Sequence, residues 1–211
     1  LYDYLTTQLR KSNVEVMLGK EVTPEFVKEI SPDAVVVATG AKPLIPRIKG
    51  VEGKNTFTSW DVLEGKAKTG KSVIIAGGGT VGCETADFLS EKGVKVTIVE
   101  MLEEIGSDVE TFTRQLLLER LAKHNVTMLT NTIVDEITHS GVVGHYFKNG
   151  VWRKLTLEAD NVVLALGATP NNELYKALSG KTPELYAIGD CVDPRKMLDG
   201  IHEASFVARQ I

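Results

Sequence analysis

Apolar residues at positions 1, 5 and 9 share one helical face and predict a helix over 1–12. The segment 14–18 reads as a short strand and 24–30 as a second helix. The unbroken apolar run 34–38 reads as a buried strand that stops at Thr39-Gly40. Pro43 and Pro46 fix φ and lack an N–H, so 40–53 is expected to be an extended connector. A new unit begins at Lys71, with an apolar strand 72–76, the cluster Gly77-Gly78-Gly79 and a helix through Lys92. A strand 95–100, a helix 111–123 with Phe112, Leu116, Leu117 and Leu121 on one face, and a strand 126–129 follow. This βαβαβ order predicts parallel strands joined by right-handed crossovers.

The texture then changes. Residues 133–157 alternate and carry Asn149-Gly150 between two apolar-polar runs, the pattern of a tight antiparallel hairpin. The apolar segment 161–166 returns to the parallel sheet and ends at Gly167, with Pro170 beyond it. A last strand over 185–188 runs into Gly189-Asp190, and a terminal helix is expected from about Gly200. The class is therefore α/β, with a Rossmann-like dinucleotide-binding domain over 71–170 flanked by 1–70 and 171–211. No repeat or low-complexity tract interrupts it.

The run from Val73 to Gly82 ends in a GxGxxG pattern, directly after a buried strand and directly before a helix. Each glycine has its own physical reason: Gly77 for the tight turn, Gly79 for close approach of a pyrophosphate, Gly82 for packing of helix on sheet. The helix start at Thr80 and Val81 offers free amides to phosphate. Glu100 closes the next strand 18 residues after Gly82, near the offset of an acid that accepts adenosine ribose hydroxyls. No Lys or Arg stands between Glu100 and Asp108, so a 2′-phosphate has no cation to meet it, and NADH is expected over NADPH.

Composition narrows the partners. Lys and Arg number 24 against 28 Asp and Glu, a net charge of −4 that gives no basic field for nucleic acid or acidic lipid. No apolar run approaches the roughly 20 residues of a membrane helix. Two cysteines, Cys83 and Cys191, are too few for a disulfide framework, and a reducing, cytoplasmic setting is expected. Cys83 has no partner within the nucleotide unit, which excludes a CxxC redox pair there, and both thiols read as small packed residues. His124, His139, His145 and His202 have no ligand spacing, so no metal site is expected. Glu84 reads as a first-turn acid on the helix dipole, and His202 and Glu203 as surface residues.

Two further strand ends, ATGAKP at 38–43 and LALGATP at 164–170, pair a buried strand with a glycine and then a proline, as two related dinucleotide domains would. Gly189-Asp190 adds a third, with a carboxylate suited to a polyol hydroxyl. With GGGTVG at 77–82 and LYAIGDC at 185–191, this ordered set resembles the two-dinucleotide flavoprotein reductases of the pyridine nucleotide-disulfide oxidoreductase superfamily. GATPNNEL at 167–174 and GDCVDPRK at 189–196 are similar, more narrowly, to the C-terminal reductase part of 2,4-dienoyl-CoA and 2-enoate reductases. Those are NADH:flavin oxidoreductases with an old-yellow-enzyme-like barrel.

The resemblance implies that NADH passes hydride to FAD, with Thr39, Gly40, Gly167, Gly189 and Asp190 among the cofactor contacts and no catalytic acid or base. It further implies an iron–sulfur cluster and FMN outside this chain, feeding reduction of an enoate or enoyl-CoA. Only Gly19 precedes Gly40, so the FAD domain's own glycine loop is missing. The expectation is a chain cut through that domain, with the barrel and an FAD half-domain as missing partners. A disulfide reductase, ferredoxin reductase or NADH oxidase is the alternative within the superfamily. A non-catalytic dinucleotide-binding module is the alternative outside it.

Overall fold

The computed structural model describes residues 1–211. Its first elements are α1 (Tyr2–Lys11), α2 (Pro24–Ile30), β1 (Ala34–Val37), β2 (Ala41–Pro43), β3 (Thr56–Thr58), α3 (Ser59–Leu63), β4 (Ser72–Ala76) and α4 (Thr80–Ser90). Then come β5 (Lys95–Val99), α5 (Thr111–Lys123), β6 (Thr127–Leu129), β7 (Thr132–Thr138), β8 (Gly141–Lys148) and β9 (Val151–Glu158). The last are β10 (Asn161–Leu164), β11 (Ala168–Pro170), α6 (Glu173–Leu178), β12 (Glu184–Ala187) and α7 (Met197–Val207). Two compact units result, Leu1–Gly40 with Asn171–Ile211, and Ala41–Pro170. No helix is long and apolar enough to cross a membrane.

In Ala41–Pro170 a five-stranded parallel sheet has the order β3-β10-β4-β5-β6. Alternate residues of β4 point to opposite faces. Val73 and Ile75 join Ile98 and Val163 under Cys83, Ala86 and Leu89 of α4 and Leu117 and Leu121 of α5. Ile74 and Ala76 join Val99, Val162 and Leu164 against Ile137 and Val142 of the antiparallel sheet β7-β8-β9. Burial on both faces is why β4 and β10 read as unbroken apolar runs rather than alternating ones. The hairpin turns where expected: Lys148 pairs with Val151 across Asn149 and Gly150, both at positive φ.

Residues 41–70, expected beside the flanking segment, pack with the nucleotide unit. β3 pairs with β10, β2 pairs with β11, and Asp61 and Thr58 form a reciprocal cap at the start of α3. The apolar face expected of α5 splits into two ridges. Leu117 and Leu121 are buried, whereas Phe112 and Leu116, also four residues apart, are exposed.

In the other unit β1 and β12 form a two-stranded parallel pair. Val27 of α2, Val37, Leu178 of α6 and Cys191 make its core. The strand expected over 14–18 does not form: these residues lie outside any element and are exposed, Leu18 at 90%. Apolar side chains alone do not make a strand; its backbone groups need a neighbouring ladder, and β1 pairs here only with β12. The terminal helix α7 begins one turn earlier than expected, because the Asp199 carboxylate accepts the Lys196 N–H at 3.1 Å.

Candidate functional site

The chain leaves β4 at Ala76 and turns at Gly77, whose φ is +104° and whose N–H donates to the Val99 carbonyl at 2.9 Å. A Cβ at Gly77 would lie 2.3 Å from the Ala165 carbonyl oxygen, and one at Gly82 would lie 2.0 Å from that of Gly77. Gly82 therefore lets α4 come down onto the loop, in the role its spacing implies. Gly78 is also crowded, by side chains rather than backbone, which its place as an unspecified motif position conceals. A Cβ there would meet Ile105 Cδ1 at 2.7 Å and Glu100 Cβ at 3.0 Å.

Glu100 follows β5 and is only 8% exposed. Its Oε2 accepts the Gly78 N–H at 2.6 Å and its Oε1 the Leu102 N–H at 2.8 Å. The adjoining cleft, of 460 Å³, brings together Gly77, Gly79, Thr80, Val81, Glu100 and Gly167. Gly82 is not among its lining, being packed behind the loop. Gly167, at φ +96° with open space where a Cβ would stand, adds no side chain to the cleft lining. Ile48, Met101, Leu102 and Leu166 supply apolar wall.

Two neighbours of the cleft carry no mark in the sequence. The Asp108 carboxylate accepts the Thr80 N–H at 2.9 and 3.1 Å and the Thr80 hydroxyl at 2.8 Å. Arg114 donates through Nε to the Ile105 carbonyl at 2.7 Å and pairs with Glu104 at 3.1 Å, so this nearby cation is already engaged. Cys83, buried at the start of α4, has its thiol pushed up to about 12 by burial, with Asp108 and Glu100 adding to the rise. It is a packed residue, not a nucleophile.

In the other unit the parallel pairing of Val37 with Ala187 sets Thr39-Gly40 and Gly189-Asp190 at the same, carboxyl ends of adjacent strands. The Thr39 hydroxyl donates to the Asn171 carbonyl, and the Asn171 N–H to the Gly40 carbonyl at 2.9 Å. Gly189, at φ +66°, donates its N–H to Glu203 Oε2 at 2.6 Å. Asp190 Oδ1 accepts the Arg195 N–H at 3.2 Å. Glu203, expected to be a plain surface residue, also pairs with the Arg195 guanidinium. That cation first, and then the Gly189 N–H, hold its carboxyl below the usual range. The spacing of 14 residues between Gly189 and Glu203 carried no local signal of this contact.

The chain is 42% identical to an NADH oxidase of Thermoanaerobacter brockii, over 99% of this chain and 32% of the relative. It is 38% identical to a metal reductase of Desulforamulus reducens, over 97% of this chain and 35% of that protein. A solved 2-naphthoyl-CoA reductase in complex with 2-naphthoyl-CoA superposes with a TM-score of 0.92 at 36% identity, covering 99% of this chain and 31% of that one. The chain thus spans about a third of the length of the curated relatives it matches. With the family profile matching residues 2–208, the chain belongs to the pyridine nucleotide-disulphide oxidoreductase family.

Proposed function

We propose that Ala41–Pro170 is the NADH-binding unit of a flavoprotein reductase. The observation that carries this reading is the Glu100 carboxylate, buried under the glycine loop, bonded to the Gly78 N–H and lining the cleft. A carboxylate in that position accepts the adenosine ribose hydroxyls. Gly77 and Gly79 leave the loop backbone bare for the pyrophosphate, Gly82 brings the helix close, and Thr80 and Val81 present the first amides of α4. Gly167 adds room without a side chain, and Ile48, Met101, Leu102 and Leu166 give the cleft an apolar wall. A 2′-phosphate would meet Glu100 with Arg114 already held by Glu104, which favours NADH over NADPH.

When bound, NADH supplies a hydride and FAD accepts it, a direct transfer that requires no acid or base from the chain. The protein's part is orientation and exclusion of water. Thr39, Gly40, Gly189 and Asp190 are the residues we assign to FAD. Their fit is partial, because no second glycine loop among these 211 residues runs into a helix to receive the flavin phosphates. Within a longer protein we assign the electrons, by way of an iron–sulfur cluster and FMN, to reduction of an enoate or enoyl-CoA; the likeness to 2-naphthoyl-CoA reductase, of which this chain covers 31%, supports only the acyl-CoA class of that acceptor. Titration with NADH and NADPH tests the nucleotide reading. NADH is expected to bind at least roughly tenfold more tightly, and Glu100→Arg to weaken it by a similar factor. NADPH binding as tightly as NADH would overturn the assignment of Glu100.

A further inference from the structure

The first amide of α4 is already bonded to an anion. Both carboxylate oxygens of Asp108 accept the Thr80 N–H, and Oδ2 accepts the Thr80 hydroxyl as well. A Cβ at Gly79 would lie 3.3 Å from Asp108 Oδ2, so the carboxylate sits against the bare loop. It is not there by chance of a mobile side chain. The segment carrying it is pinned to the same loop by the Gly106 N–H, which donates to the Gly78 carbonyl at 2.6 Å, and by Ile105, which is buried in the core beside Gly78. Asp108 also lines the 460 Å³ cleft.

A pyrophosphate docked on the glycine loop needs the amides at the start of α4. Two anions cannot both take the Thr80 N–H, and a second negative charge beside a diphosphate is repelled at short range. Asp108 is exposed, so on leaving Thr80 its carboxylate is rehydrated rather than stranded. Resting on the dinucleotide reading above, we infer that Asp108 is an internal competitor for the pyrophosphate site, an affinity-setting residue that the incoming dinucleotide displaces from Thr80. While it holds Thr80 it satisfies the helix start. In the bound state its place on Thr80 passes to the pyrophosphate, and the competition holds affinity below what the cradle alone would give.

The test compares Asp108→Asn with the parent protein in titrations of NADH, ADP-ribose and adenosine, read by fluorescence or calorimetry. The amide oxygen can still accept the Thr80 N–H, but the charge is gone. NADH and ADP-ribose are expected to bind roughly tenfold more tightly to the variant, with adenosine, which lacks phosphate, unchanged. Asp108→Ser, which removes both the charge and the reach to the amide, is expected to give the same result should the Asn variant fold poorly. ADP-ribose affinity that is unchanged or weaker in folded variants overturns the inference while leaving the dinucleotide reading intact. Failure of NADH to bind parent and variants alike overturns that reading and this inference with it.

Discussion

Glu100 closes onto Gly78, its Oε2 accepting the glycine N–H at 2.6 Å while Oε1 accepts the Leu102 N–H at 2.8 Å. One buried carboxylate thus ties the glycine loop after β4 to the chain leaving β5, and its own amide and carbonyl join Leu129 and Thr132. The residue proposed to recognise ribose is therefore also a fastener for the loop that would hold the pyrophosphate. Its two roles separate in the choice of substitution.

Glu100→Ala strands the Gly78 amide, and a buried donor left unpaired costs about 1–3 kcal/mol. A loss of stability of that size is expected in urea or thermal unfolding, together with faster hydrogen exchange at Gly78. Glu100→Gln keeps one acceptor oxygen and is expected to cost less stability while still weakening NADH binding. Equal stability losses in the two variants would show that the loop is fastened elsewhere.

Asp160 offers a pH-dependent test at the opposite end of β4. Its Oδ2 accepts the Lys71 N–H at 2.7 Å, the Ser72 N–H at 2.8 Å and the Ser72 hydroxyl at 3.0 Å. These bonds, those from Ser72 foremost, hold the carboxyl below its ordinary value of 3.8. A pKa depressed in the folded state stabilises above the unfolded value and is lost as pH falls through the folded one. The advantage of the parent protein over Asp160→Asn is therefore expected to be full at pH 6 and to shrink below pH 4, measured as urea midpoints. A constant difference across that range would count against the ionised carboxylate as its source.

Gly82 supplies a steric prediction. With its Cβ position 2.0 Å from the Gly77 carbonyl oxygen, which is backbone and cannot swing aside, Gly82→Ala must push α4 off the loop. A loss of about 1–3 kcal/mol is expected, as for other overpacked positions, together with loss of NADH binding. Gly93→Ala is the comparison: nothing stands within 4 Å of its Cβ position, but φ is +80°, so it incurs backbone strain without touching the cleft. NADH binding retained by Gly82→Ala would remove the packing role from this glycine.

What the sequence made legible was local. β4, the glycine loop, α4, β5 and Glu100 follow one another within 30 residues, and each is marked by apolar run, glycine spacing or strand-end acid. What it concealed depends on distance along the chain. Asp108 meets Thr80 across 28 residues and Glu203 meets Gly189 across 14, and neither pair has a spacing rule. The segment 14–18 shows the converse: its apolar residues are of strand type, but a strand exists only where a neighbour completes its hydrogen bonds. On α5, periodicity identified four apolar positions, yet only the Leu117 and Leu121 ridge meets α4 and the sheet.

Cys83 makes the last prediction. Its side chain is fully buried, its Sγ lies 3.4 Å from the Gly78 carbonyl oxygen, and burial raises the thiol from 9.0 to about 12. At pH 8 the thiolate is scarce and a reagent has no path to it, so Cys83 is expected to resist a disulfide reagent until the protein unfolds. Cys191, also buried, should label with it in denaturant. The raised value also fixes the sign at high pH. The unfolded thiol ionises near 9 and the folded one near 12, so the stability Cys83 confers is complete below pH 9 and declines as pH rises toward 12. The stability difference between the parent protein and Cys83→Ala should narrow over that interval. A difference that stays level, or rapid labelling of the native protein at pH 8, would mean that the start of α4 opens to solvent far more readily than its packing implies.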